Sequence, residues 1–241
     1  MLFRRLTAAC LALLISTHAF GAAFVDYRVN LDKQTLRLYL NDPQGKPFRQ
    51  FAALERDLDS RGEKLLFATN AGIFMEDLRP LGLYVEDGKV LRKLSTRQIG
   101  YGNFYMQPNG VFLIDESGAA IRSTEQYPAH AQSHTVRFAT QSGPMLVINK
   151  QINPSFPSNS ENRRIRNAVC VIDKSTVVLS LAEEPVTFME FAQHLQASGC
   201  LDALYMDGSI SEAYWPEQGQ DVARGTFGPM IGVSVPRHLA K

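Results

Sequence analysis

Ten short apolar runs constrain this chain more than any other feature: Tyr27–Leu31, Thr35–Leu40, Leu65–Thr69, Gly82–Val85, Val111–Ile114, Met145–Ile148, Val169–Ile172, Val177–Leu181, Leu201–Met206 and Ile231–Val235. Each alternates with period two or is apolar throughout, and Gly, Pro, Asn, Asp or charged residues bound them, so they predict strands. Helical periodicity is scarcer. Phe48, Phe51, Ala52, Leu54 and Leu58 make one apolar face that Ser60-Arg61-Gly62 closes. A second helix is signed at both ends: Thr187 and Glu190 fit a capping box, Val186 and Phe191 a hydrophobic staple, and Gly199 a C-terminal stop, with Phe188, Phe191, Ala192 and Leu195 facing inward. Many strands with two clear helices argue for an α+β fold, a single domain with a mixed β-sheet core and few helices, and against a doubly wound one.

The amino terminus has Arg4 and Arg5, an apolar run from Leu6 to Ile15 and small residues from Ala19 to Ala23. That pattern predicts a signal peptide over residues 1–23, followed by one domain over 24–241 in an exported, periplasmic or secreted protein. The run is shorter than the ~20 residues needed to span a bilayer, so no membrane span is expected. Cys10 sits in a lipobox-like Thr-Ala-Ala-Cys, but only Leu6 lies between the arginines and that segment, which argues against a lipid anchor. Cys170 and Cys200 then remain, free to pair in an oxidising compartment or to stay buried as thiols. With 25 basic and 24 acidic residues the net charge is +1, which gives no reason to expect nucleic acid as partner. Any ligand must be recognised locally; the oligomeric state is left open.

Polar residues gather where the apolar runs end. Leu201–Met206 delivers Asp207, Gly208 and Ser209, and Leu65–Thr69 delivers Asn70 with Gly72 close behind. Gln141, Ser142 and Gly143 stand just before Met145–Ile148, and Arg163, Arg164 and Arg166 before Val169–Ile172. Asp-Gly and Asn are also ordinary turn formers, and Ser142-Gly143-Pro144 reads first as a plain loop. Arg163 and Arg164 read as a solvated face. Arg166 differs, because it abuts an apolar strand, where a guanidinium that is even partly buried needs an anion. A carboxylate, an arginine, an amide, hydroxyls and glycine-exposed N–H groups together suit an anionic, hydroxyl-rich ligand such as a sugar phosphate.

In order, Asn70-Ala71-Gly72-Ile73-Phe74, Pro80-Leu81-Gly82-Leu83 with Glu86-Asp87-Gly88, Ser142-Gly143-Pro144-Met145-Leu146, Arg166-Asn167-Ala168-Val169 and Asp202 through Ser209 resemble the phosphodiester glycosidase domain family. The resemblance implies hydrolysis of a sugar joined through its anomeric carbon to a phosphodiester, on a phosphate-linked sugar or an envelope glycan. It marks Asp207, Arg166 and Asn70 as catalytic candidates and Gly72, Ser142, Gly143, Gly208 and Ser209 as substrate-binding candidates. Two segments depart from the family pattern: Arg166-Asn167-Ala168 stands where Arg-Thr-Ala is usual, and Asp207-Gly208-Ser209-Ile210-Ser211-Glu212 where Asp-Gly-Gly-Gly-Ser-Ser is usual. The second departure keeps open a non-catalytic sugar-phosphate-binding or glycan-binding module. Glu76 and Glu212 are the nearest second carboxylates. His130, His134, His194 and His238 show no metal-ligand spacing, His194 is expected on the exposed side of its helix, and no metal or cofactor is expected.

Overall fold

Successive side chains of a strand point to opposite faces, so continuous apolar runs need cover on both sides. The computed structural model, which describes residues 23–207, 210–220 and 225–240, shows how that cover is supplied. In chain order the strands are β1 (Phe24–Asn30), β2 (Thr35–Tyr39), β3 (Glu63–Asn70), β4 (Tyr84–Glu86), β5 (Lys89–Arg92), β6 (Gly110–Asp115), β7 (Gly118–Ser123), β8 (Phe138–Ser142), β9 (Met145–Ile148), β10 (Gln151–Ile152), β11 (Asn167–Asp173), β12 (Thr176–Ala182), β13 (Asp202–Tyr205), β14 (Ala213–Tyr214) and β15 (Met230–Pro236). The helices are α1 (Phe51–Ser60), α2 (Tyr127–Ser133) and α3 (Phe188–Ala197), with single 3-10 turns at Asn103–Tyr105, Pro216–Gln218 and Arg237–Leu239. Apart from Ala23, the expected leader lies outside the described residues, as do Gly208 and Ser209. No helix among the described residues is long and apolar enough to cross a membrane.

The fold is α+β, and its β-structure is divided among three sheets. Their strand orders are β1-β12-β11-β13-β9-β10, β14-β3-β15-β2 and β5-β4-β8-β6-β7. Every strand pairing described is antiparallel, so the mixed sheet expected from the sequence takes the form of three antiparallel ones. All three contribute to one central core: Val169, Leu179 and Leu204 from the first, Phe67, Ile231 and Val233 from the second, Tyr84, Phe112 and Phe138 from the third. On the outer faces, α3 covers Ala168, Cys170 and Tyr205, α1 covers Leu65, Ala68 and Met230, and Tyr127 of α2 packs on Leu83, Val111 and Leu113. The alternation is direct in β11, where Val169 and Val171 turn inward while Ala168 and Cys170 meet α3. Cys170 and Cys200 are disulfide-bonded under that helix.

All ten predicted runs are strands, and β5, β7, β8, β10 and β14 are additional. β8 changes the reading of the site, because Gln141 and Ser142 are buried strand residues paired with Val111 and Gly110 rather than loop residues. The α3 signals hold in full: Thr187 and Glu190 form the reciprocal capping box, the four inner residues are buried, and Gly199 has φ +89°. In α1, Phe51, Leu54 and Leu58 are buried, but Ala52 is exposed and Phe48 lies before the helix, since the first turn starts at Phe51. The third helix, α2, carries one buried apolar residue, too few for periodicity, although Pro128 in its first turn is a start signal. It brings His130 and His134 to Asp115, a grouping of metal-ligand types that their spacing alone did not suggest. His194 is half-buried rather than exposed, stacked on Phe24 and 2.8 Å from the Asp26 carboxylate.

Glu86 at the end of β4 gives the fold a pH dependence. Burial drives its carboxyl up to about 7 from an ordinary 4.5, with the Asp87 charge adding to the rise and a bond from the Tyr84 hydroxyl (2.9 Å) opposing it. Between those values the folded chain binds more protons than the unfolded one, so stability must fall as pH rises through this window and stay lowered above it. Glu86→Gln is therefore expected to remove a loss of roughly 2–3 kcal/mol between pH 4.5 and 8. Urea unfolding at both pH values checks this, and an unchanged pH slope in the variant excludes Glu86 as its source.

Candidate functional site

The candidate site forms where strand ends from all three sheets meet. β11 and β13 run antiparallel with Ala168 opposite Tyr205, and the Met206 N–H donates to the Asn167 carbonyl at 3.0 Å. One step further along this register, Arg166 and Asp207 occupy neighbouring chain ends. Asn70 closes β3 in the second sheet, and Ser142 closes β8 in the third. The structure thus brings together Asp207, Arg166, Asn70 and Ser142, with Gly72 and Gly143 adjoining. Asn70, Ser142 and Arg166 are 0–1 % exposed and Asp207 is 8 % exposed, so these are interior groups rather than surface turns.

The hub is Asn167, which sequence reading noted only as a departure from a threonine. Its Nδ2 donates to the Asn70 carbonyl (2.8 Å), to Asn70 Oδ1 (3.1 Å) and to Thr69 Oγ1 (3.0 Å). Its Oδ1 accepts from the Asp207 N–H (2.9 Å) and the Ser211 hydroxyl (3.2 Å). One carboxamide therefore fixes the end of β3 against the backbone of Asp207. Ser142 ties in the third sheet: its hydroxyl donates to the Met206 carbonyl at 2.7 Å and accepts from the Ile73 N–H at 3.4 Å. An amide at the first position of an apolar strand, directly after a buried arginine, was the signal available in the sequence.

Arg166 carries a buried charge held mainly by neutral oxygens. Its Nε donates to the Val186 carbonyl and one terminal nitrogen to the Asn162 carbonyl, each at 2.8 Å, while the other lies 3.5 Å from the Tyr205 hydroxyl. The guanidinium stacks on Phe188, the first residue of α3, at 3.9 Å. Among the described residues no carboxylate forms an ion pair with it. Burial accordingly pulls its pKa down, although an arginine of this kind keeps its proton. Burial also pushes the Tyr205 phenol up to about 12, with Arg166 opposing and Asp207 reinforcing the rise, so both charges act on this one hydroxyl. The Asn103 amide lies 3.4 Å from it.

Asn70 holds a second unused capacity. Its Oδ1 takes donors from Asn167 and from the Glu212 N–H (3.2 Å), which fixes the orientation of the amide and leaves Nδ2 buried without a partner among the described residues. A buried donor of this kind costs free energy unless a ligand or water satisfies it. The glycines carry packing demands of their own. A Cβ at Gly72 would lie 2.5 Å from Thr140 Oγ1 and 2.7 Å from the Gln141 carbonyl, and one at Gly143 would lie 2.5 Å from Asn109 Cβ. Gln141 is committed to the scaffold, bonded to Leu83, Ser95 and Thr124. Glu76 is exposed, whereas Glu212 is half-buried and accepts from the Gly225 N–H at 3.3 Å.

Removing the hub should be costly. Asn167→Ala strips donors from Asn70 and Thr69 and leaves the Asp207 N–H buried without its acceptor, for an expected loss of about 2–4 kcal/mol. Asn167→Thr restores one hydroxyl and is expected to lose less. Urea midpoints of the two variants test this, and a change under about 0.5 kcal/mol for the alanine variant removes Asn167 from the role of hub.

Comparison with known proteins bears on the family and the fold. The chain is 33% identical over 210 residues, 86% of its length and 80% of the relative's, to the uncharacterized protein YigE of Escherichia coli K12. In fold it is similar to the zebrafish N-acetylglucosamine-1-phosphodiester alpha-N-acetylglucosaminidase catalytic domain auto-inhibited by its pro-peptide. That match has a TM-score of 0.59 at 12% identity and covers 90% of this chain and 84% of that one. A hypothetical protein from Synechocystis matches with a TM-score of 0.50 at 17% identity, over 90% of this chain and 60% of that one. The phosphodiester glycosidase family model matches residues 63–234, a span that includes every strand end of the candidate site. The chain belongs to the phosphodiester glycosidase family.

Proposed function

We propose that this protein is an exported glycosidase that hydrolyses the bond between a sugar's anomeric carbon and a phosphodiester, with residues 1–23 removed as a leader and residues 24–241 forming one catalytic domain. The observation that carries the reading is the Arg166 guanidinium, buried and held by carbonyls, on the strand end beside a carboxylate. A charge kept in that state is matched by an anion supplied from outside, and a phosphodiester is such an anion.

The chemistry follows from the charges. Breaking the anomeric C–O bond builds positive, oxocarbenium-like charge on the sugar while the bonding electrons pass to the phosphate oxygen. Asp207 is the group to stabilise or attack the sugar carbon. A departing phosphate is already a stabilised anion, so holding it matters more than protonating it. Arg166 and the unused Asn70 Nδ2 serve as its donors, with N–H groups at Gly72, Gly143 and Gly208 as further candidates. Water completes the hydrolysis. Ser142 and Asn167 keep the strand ends in place, and Ser209 is a further substrate-binding candidate on the family motif alone. The substrate class is a sugar-1-phosphodiester of the kind named for the zebrafish enzyme, or a phosphate-linked envelope glycan.

A second reading is a binding module without turnover, and it rests on Ser209, Ile210 and Glu212 in the segment after Asp207, where the family carries Gly, Gly and Ser. Incubating the mature chain with a panel of sugar-1-phosphodiesters separates the two. Turnover is expected, falling at least about 10³-fold in Asp207→Asn and about 10²-fold in Arg166→Lys, both still folded by circular dichroism. Near-normal activity of Asp207→Asn rejects that residue, and saturable binding with no released sugar decides for the module.

A further inference from the structure

We propose that Asp115, His130 and His134 form a binding site for a divalent transition-metal ion of the zinc type, separate from the Asp207 site. One ligand atom from each residue can be chosen so that all lie within 4.8 Å of one another. Two imidazole nitrogens and a carboxylate oxygen make a donor set suited to zinc, cobalt, nickel or copper, and not to magnesium or calcium, which take oxygen.

The surroundings orient these ligands. Asp115 ends β6, and its Oδ1 accepts from the Ser117 N–H at 2.7 Å, leaving Oδ2 to face His130 Nε2 at 2.7 Å. The Asp115 and His130 side chains are 0 % and 8 % exposed, so the pair is interior. His134 Nδ1 lies 3.2 Å from the His130 carbonyl. A carbonyl oxygen only accepts, so Nδ1 carries the hydrogen and Nε2 of the neutral ring keeps a free lone pair, the usual way a ligand imidazole is positioned. The two rings, four residues apart around the end of α2, stack at 4.2 Å with planes 3° apart, so the His134 ring must turn for both in-plane lone pairs to meet at one ion.

An incoming ion takes the place of the hydrogen shared by His130 Nε2 and Asp115 Oδ2: from a protonated ring that proton leaves to solvent, and in a neutral ring it passes by way of solvent to Nδ1, so the bound imidazole is neutral in either case. Ligands on one ion stand about 3.2 Å or more apart, so the pair must open by roughly 0.5 Å. Within β6, Gly110 pairs with Ser142 of the candidate site, and Asp115 lies five residues along. At ~3.3 Å per residue the ion sits about 16 Å from that end. It fastens α2 to the third sheet and takes no part in hydrolysis, so the inference stands apart from the proposed function.

The test uses the mature chain stripped with chelator and titrated with zinc by calorimetry, and with cobalt by visible absorption. We expect one ion per chain with an affinity in about the micromolar range, tetrahedral-type cobalt bands, and no competition from a large excess of magnesium. Asp115→Asn and His134→Ala should each weaken binding about 10–100-fold. His134→Ala leaves the Asp115–His130 contact intact, and its metal-free unfolding midpoint reports whether the fold is kept; His134→Gln replaces it if not. Absence of saturable zinc binding below about 100 µM, or equal affinity in wild type and both variants, overturns the site and leaves an ion pair that fastens a helix.

Discussion

A single carboxamide, that of Asn167, joins the first and second sheets at the point where their strands end, and the arrangement of the candidate site depends on it. Its donor side holds Asn70 and Thr69 and its acceptor side holds the backbone of Asp207. In an interior without water, five such contacts are satisfied only if the strand ends keep their mutual distance. Ser142 adds the third sheet through the Met206 carbonyl. The polar groups next to Asp207 are therefore mostly structural, and those with unused capacity, Arg166 and Asn70, stand out against them.

This division gives the site its chemical character. Scaffold amides such as Gln141 have every donor and acceptor engaged inside the protein. Arg166 instead spends its hydrogen bonds on carbonyls and its flat face on Phe188, keeping its positive charge without an ion-pair partner among the described residues. Holding a desolvated charge next to a strand end is expensive unless a ligand shares the cost. The central core common to three sheets supplies the rigidity that makes such an arrangement affordable.

Much of the fold was legible in the amino-acid order. All ten apolar runs are strands, because a segment of that composition finds its best burial between two faces. α3 was legible from its caps, which are local, whereas α2 was not, because one buried tyrosine leaves no period to detect. β8 was missed for a related reason: Gln141 and Ser142 are polar, and only their bonds to other strands make them residents of a sheet. Of the site, the family motifs pointed to Asp207, Arg166, Asn70 and Ser142. Asn167 stood in the sequence as an exception, because its five hydrogen bonds reach residues some 40 to 100 positions away.

What the sequence by itself determined is therefore local and compositional: the α+β character, the strand positions, the boundaries of α3 and the family. These rest on alternation and capping, which act between neighbours along the chain. Tertiary structure decided that the strands form three antiparallel sheets around one core, that Cys170 meets Cys200, and that Asp115 meets two histidines. It also decided which buried polar groups are spent on the scaffold and which are left over. Such pairings depend on distances across the core, and no periodicity along a chain encodes those directly.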